Sequence, residues 1–136
     1  MRATGAGAAS QVTHAGGVIA FESPDRKYLY YLREVTPVRK IAGRNMCELL
    51  RMPIEGGQEQ LVLPAVQDFD EVGITADAIF FSSDLKSIQR LSLSTGNVGT
   101  VLNDFGSSMG VSPDGAFILF ATARSSSDLM LVEGFR

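Results

Sequence analysis

The chain has 136 residues, with 12 basic and 15 acidic side chains for a formal net charge of −3, and that length makes a single domain the default. Its only cysteine, Cys47, excludes an internal disulfide and a cysteine-built metal site. No apolar run approaches the roughly 20 residues of a membrane span, and the small-residue start, residues 1–10, lacks the apolar stretch of an export signal.

Charge is placed unevenly along the chain. Residues 1–51 carry eight Lys/Arg against four Asp/Glu, and residues 52–136 carry four against eleven. The basic cluster is Arg26, Lys27, Arg33, Arg39, Lys40, Arg44 and Arg51. No aromatic residue falls between Arg33 and Arg51, so a base-stacking surface for nucleic acid is not expected there.

In chain order, residues 1–10 read as a flexible tail. Residues 11–14 read as a short strand closed by Gly16-Gly17. Residues 18–21 read as a second strand, leading into a Ser23-Pro24-Asp25 turn, and residues 28–33 as a third. Residues 35–46 contain Pro37, Gly43, Arg39, Lys40 and Arg44, and read as a long loop with at most a ragged strand extension. Residues 47–54 read as a strand, Glu55-Gly56-Gly57 as a turn, and residues 60–63 as a strand ended by Pro64, since proline cannot donate to a ladder.

A second unit starts near Asp70. It has strands at 71–74, 78–81, 87–93 and 98–102, with turns at Thr75-Ala76-Asp77 and at 94–97. A third unit has strands at 108–111, 117–122 and 128–132. Its Ser112-Pro113-Asp114-Gly115 turn places Pro where φ is wanted near −65° and Gly where a positive φ is cheap.

The units repeat. Tyr31, Phe81 and Phe120 align, as do Leu49, Ile88 and Leu129, and Arg51-Met52-Pro53-Ile54-Glu55-Gly56-Gly57 aligns with Arg90-Leu91-Ser92-Leu93-Ser94-Thr95-Gly96. A period near 40 with four strands per unit is the pattern of a β-propeller blade. A blade covered on both faces needs an apolar rather than alternating second strand. Tyr28-Leu29-Tyr30-Tyr31, Ala78-Ile79-Phe80-Phe81 and Phe117-Ile118-Leu119-Phe120 have that character. The expected fold is therefore all-β, a partial β-propeller of about three four-stranded antiparallel blades. The blades span about 18–64, 70–104 and 108–136, with an outer strand at 11–14. The chief alternative is an ordinary β-sandwich.

Residues that could carry chemistry were weighed against plainer roles. Gly106-Ser107-Ser108-Met109-Gly110 has the G-x-S-x-G form, but a nucleophile elbow needs a following helix and a later histidine. The only histidine is His14, and a Pro-Asp-Gly turn follows the serine. The expected role of this stretch is instead a close-packed innermost strand. Asp68, Asp70, Glu71 and Asp77 form an acidic group whose spacing fits no calcium loop. Asp25 and Asp114 suit hydrogen bonding to turn amides. Arg51 and Arg90 are expected to pair with acids on neighbouring units. No catalytic, cofactor or metal residue is assigned. Arg39, Lys40 and Arg44 are the candidate interaction surface.

The Ser-Pro-Asp-Gly turn and the Leu49–Gly57 pattern resemble TolB-type propeller repeats, and also the non-catalytic propeller of prolyl oligopeptidases. Residues 127–136 resemble the C-terminus of large bacterial TolB-like proteins. The departures are Arg26 where the turn has Gly, and the shortened turn at Thr75-Ala76-Asp77. The resemblance implies a non-catalytic protein-interaction or sensing module with a periplasmic setting, forming part of a larger bacterial protein. It equally fits a substrate-gating propeller of a hydrolase, or the extracytoplasmic domain of a winged-helix transcriptional regulator. A protein partner is expected, and the open blade faces allow head-to-tail self-association.

Overall fold

The computed structural model describes residues 11–67, 72–104 and 106–121. The chain is all-β, in several antiparallel sheets, none of which closes on itself. The first sheet contains β1 (Ile19–Glu22), β2 (Tyr28–Glu34), β3 (Lys40–Ile41), β4 (Arg44–Pro53) and β5 (Gln60–Gln67). In it β2 lies between β1 and β4, β5 pairs with the far edge of β4, and β3 pairs with the start of β4. The second sheet is a meander of β6 (Val72–Ile74), β7 (Ala78–Phe81), β8 (Ser87–Ser92) and β9 (Val98–Asn103). Then β10 (Ser107–Val111) pairs with β11 (Ile118–Ala121). The strand expected at 128–132 lies outside the described residues.

The sheets stack face on face in chain order. Alternation along β7 sends Ile79 and Phe81 to one side and Ala78 and Phe80 to the other, and all four are buried. Ile79 and Phe81 share a core with Tyr30, Leu32, Cys47, Leu49, Leu63 and Val66 of the first sheet. Ala78, Phe80 and Ile88 pack with Met109, Val111 and Ile118 of the β10–β11 pair. Sheet two is therefore covered on both faces, which is why its second strand carries no polar residue.

On the outer face of the first sheet, Tyr31, Leu50 and Met52 form a third cluster with Leu29. Residues 11–18 lie over this face. Val12, Thr13, Gly17 and Val18 share a hollow with Leu29 and Tyr31, and the Val18 amide donates to the Leu32 carbonyl at 2.8 Å. Residues 11–14, expected as a strand, are not one. They act as a cover for an apolar face rather than as a ladder partner.

The turns repeat atom for atom. In the first, Ser23 Oγ donates to Asp25 Oδ1 at 2.6 Å, the Lys27 amide donates to the same oxygen at 3.1 Å, and the Tyr28 amide donates to Ser23 Oγ at 2.9 Å. In the second, Ser112 Oγ, the Ala116 amide and the Phe117 amide make the equivalent bonds at 2.6, 3.1 and 2.9 Å. Arg26 takes φ 59° where Gly115 takes φ 70°. The replacement of Gly by Arg thus leaves the turn unchanged and puts a side chain in the left-handed region. The β7–β8 turn uses a related device that the sequence reading did not identify. There the Lys86 and Ser87 amides donate to Asp84 at 2.8 and 2.9 Å, and Leu85 has φ 58°.

Two further expectations are corrected. Pro64 does not end its strand. β5 is an edge strand whose register shifts opposite residues 47–50, where a missing amide is tolerated. Residues 35–46 are not a loop throughout, because β3 and the start of β4 form a hairpin.

Candidate functional site

That hairpin carries the three residues picked out as an interaction surface. Lys40 pairs with Asn45 and Ile41 with Arg44, leaving a two-residue connection, Ala42-Gly43. Ala42 has φ 50° and Gly43 φ 83°. Positive φ at both central positions is the type I′ geometry, whose twist matches that of the flanking strands. The Met46 amide donates to the Arg39 carbonyl at 2.8 Å and the Val35 amide to the Met46 carbonyl at 3.2 Å, so the ladder runs unbroken into β4. β4 is anchored by Met46, Cys47 and Leu49, all buried. The tip is thus a hydrogen-bonded extension of a buried strand.

Arg39 and Lys40 are exposed and Arg44 is half-buried. Cross-strand pairing puts Arg44 beside Ile41 on one face, and Lys40 beside Asn45 on the other. Alternation carries Arg39 to the Arg44 face. Asn45 Nδ2 donates to Glu34 Oε1 at 2.6 Å, which ties the Lys40 face to the end of β2. Arg39 and Arg44 share their face with Ile41, which is itself partly exposed, and Arg39 is the more exposed of the two arginines. The exposed Arg39 fork and the Lys40 ammonium, near an exposed apolar residue, suit carboxylates carried on a protein surface.

Of the other candidates, those among the described residues sit as follows. Ser108 has φ 49° at a bulge in β10, and β11 rather than a helix follows. Asp68, Asp70 and Glu71 lie outside the described residues. Asp77 accepts from Thr75 Oγ1 and from Arg90 Nη2, each at 3.0 Å. Among the described residues no three His, Cys, Asp or Glu side chains converge on a possible metal position. Asp25 and Asp114 are held below the usual carboxylate range, first by the serine hydroxyl of the turn and then by a backbone amide.

Arg51 and Arg90 were expected to pair with acids on neighbouring units; among the described residues their partners lie elsewhere. Arg51 lies over the Tyr28 ring at 4.8 Å and donates to Gln60 at 3.0 Å, while Arg90 pairs with Asp77 and lies over Phe80. All these partners belong to the arginine's own sheet. The register places each arginine directly across from an aromatic, Tyr30 and Phe80, so the nearest partners are on the same sheet. The sequence reading missed the role of Arg33, which bridges Glu48 at 3.1 Å and Glu59 at 3.2 Å. The signal was available only as a cross-strand pair, Arg33 opposite Glu48.

No family model matches the chain, and neither a curated protein nor a solved structure matches it.

Proposed function

We propose that the chain is a non-catalytic segment of a TolB-like β-propeller that acts as a protein-interaction module, docking an acidic protein surface on the Arg39–Arg44 hairpin. The observation that carries the proposal is the exposed basic hairpin, continuous with a buried strand and turned by two left-handed residues. The stacking of consecutive antiparallel sheets through shared cores supports the propeller reading. In such an arrangement the connecting loops and hairpins gather at the rim, where a partner is met.

The test is fluorescence anisotropy with a labelled Glu-rich peptide. Binding should weaken with salt over the ~10 Å Debye range of exposed charges. It should be lost in the double variant Arg39→Glu, Lys40→Glu while circular dichroism is unchanged. Equal binding by that variant would overturn the proposed surface.

A further inference from the structure

A cleft of about 610 Å³ opens on the outer face of the first sheet, between residues 11–15 and the turn joining β4 to β5. Its size falls in the range of small-molecule sites, which combine an apolar lining with a few polar groups. Leu29 and Met52 form the floor, with Val12 and Ile54 as partly exposed apolar walls. Gln11, His14, Glu55 and Glu59 supply the polar groups; the lining itself holds no lysine or arginine, and Arg26 and Lys27 line the adjoining hollow that shares Pro53, Ile54 and Glu55.

The two carboxylates differ. Glu59 is held by Arg33 at 3.2 Å, so its charge is largely answered. Glu55 makes no hydrogen bond or ion pair among the described residues. Next to Glu59, the Tyr31 hydroxyl is buried without a well-formed hydrogen bond. Two carboxylates and one histidine that do not converge are too few to hold a metal. An apolar floor beneath a carboxylate without such a partner among the described residues instead fits a molecule with a cationic head and an apolar body.

We propose that this cleft binds a small cationic amphiphile, a primary ammonium on an apolar chain, with the ammonium on Glu55 and the chain over Leu29 and Met52. The cleft lies on the outer sheet face and includes none of Arg39, Lys40 or Arg44, so this inference does not depend on the role of the hairpin.

The probe is hexylammonium, titrated into the intact chain and followed by amide-resolved NMR. Saturable shifts are expected at residues 11–15 and 52–59. Glu55→Gln should weaken binding about tenfold, the loss of one charge-assisted contact. Ile54→Ser should weaken it by a smaller factor, and hexanoate should not bind. Glu55 and Ile54 are exposed, so both variants should fold. Absence of saturable shifts, unchanged affinity in Glu55→Gln, or equal binding of hexanoate would each overturn the proposal.

Discussion

Gly73 on β6 is the tightest backbone position among the described glycines. A Cβ placed there would lie 2.4 Å from Val111 Cγ2 and 2.8 Å from Val111 Cβ. Rotating the valine relieves the first contact but not the second, because its Cβ moves only with the backbone. Gly73→Ala therefore requires β6 and β10 to separate by several tenths of an ångström, across the contact that joins the second sheet to the β10–β11 pair. Overpacking of this kind costs ~1–3 kcal/mol. Loss of the glycine's freedom in the unfolded chain offsets ~0.4–1 kcal/mol of that. The two ranges leave about 0–2.6 kcal/mol, and the 2.8 Å contact to a Cβ fixed by its backbone puts the expected net loss in the upper half of that range.

Urea denaturation reads this as a lower midpoint with unchanged slope. Gly99→Ala and Gly110→Ala are the controls. Neither glycine has a positive φ, and an added Cβ would meet nothing within 4 Å at either. Both should be neutral or slightly stabilising. Adding Val111→Ala to Gly73→Ala should recover part of the loss, because the Cγ2 contact disappears. A Gly73→Ala protein as stable as the parent would refute the close approach of these strands.

Other outcomes follow from the same packing. Phe81→Ala should cost about 3–5 kcal/mol, the usual figure for a buried phenylalanine, whereas Phe120→Ala should cost about 1–2 kcal/mol because Phe120 is 39% exposed; equal losses in thermal melts would contradict the stacking. Arg26→Gly should stabilise by roughly 0.5–1 kcal/mol, since left-handed φ is costly for a side-chain-bearing residue and the Arg26–Glu22 pair it removes is exposed. The Tyr31 pKa is pushed up to about 12, first by burial and then by the Glu59 carboxylate. The folded chain therefore holds this proton after the unfolded chain has lost it, and stability falls as pH rises from about 10 to about 12; Tyr31→Phe should flatten that loss in alkaline denaturation. A screen of ester and peptide substrates should show no turnover that Ser108→Ala abolishes.

The serine–aspartate turns were legible because their chemistry is local. Serine two residues before aspartate reads directly into the bonds at Ser23 and Ser112, and the unbroken apolar run at Ala78–Phe81 reads into a strand buried on both faces. The hairpin at Lys40–Arg44 was not legible. Ala42 sits at φ 50°, a conformation alanine seldom adopts, so no turn signal stood there. Residues 11–14 have the alternation of a strand, yet they pair with no strand among the described residues and cover an apolar face instead. Close packing was expected near Gly106 and Gly110, yet Gly110 faces open space and Gly73 makes the contact. A glycine's neighbour across a sheet stack is set by tertiary geometry, which no local pattern records. The cleft at Glu55 was equally hidden, because residues 11–15 and 52–59 meet only through the fold.

Positional equivalence makes one last expectation sharp. Tyr31, Phe81 and Phe120 align in the repeat, so Tyr30, Phe80 and Leu119 do as well. Tyr30 and Phe80 are 2% and 5% exposed, each covered by the sheet that follows. Leu119 is 81% exposed and Phe117 74%, on the face where the next sheet of the same kind would pack. The opposite end of the stack is already covered by residues 11–18, with Tyr31 only 1% exposed. Any self-association should therefore proceed through the Leu119 face, and a head-to-tail contact would first have to displace the cover at the other end. Leu119→Asp should leave the melt within about 0.5 kcal/mol of the parent, as for an exposed site, and should abolish concentration-dependent mass in light scattering. Phe80→Asp, the same change at the equivalent position, should unfold the chain by burying an unpaired charge. A Leu119→Asp protein that loses stability as Phe80→Asp does would show that this face is already part of a core.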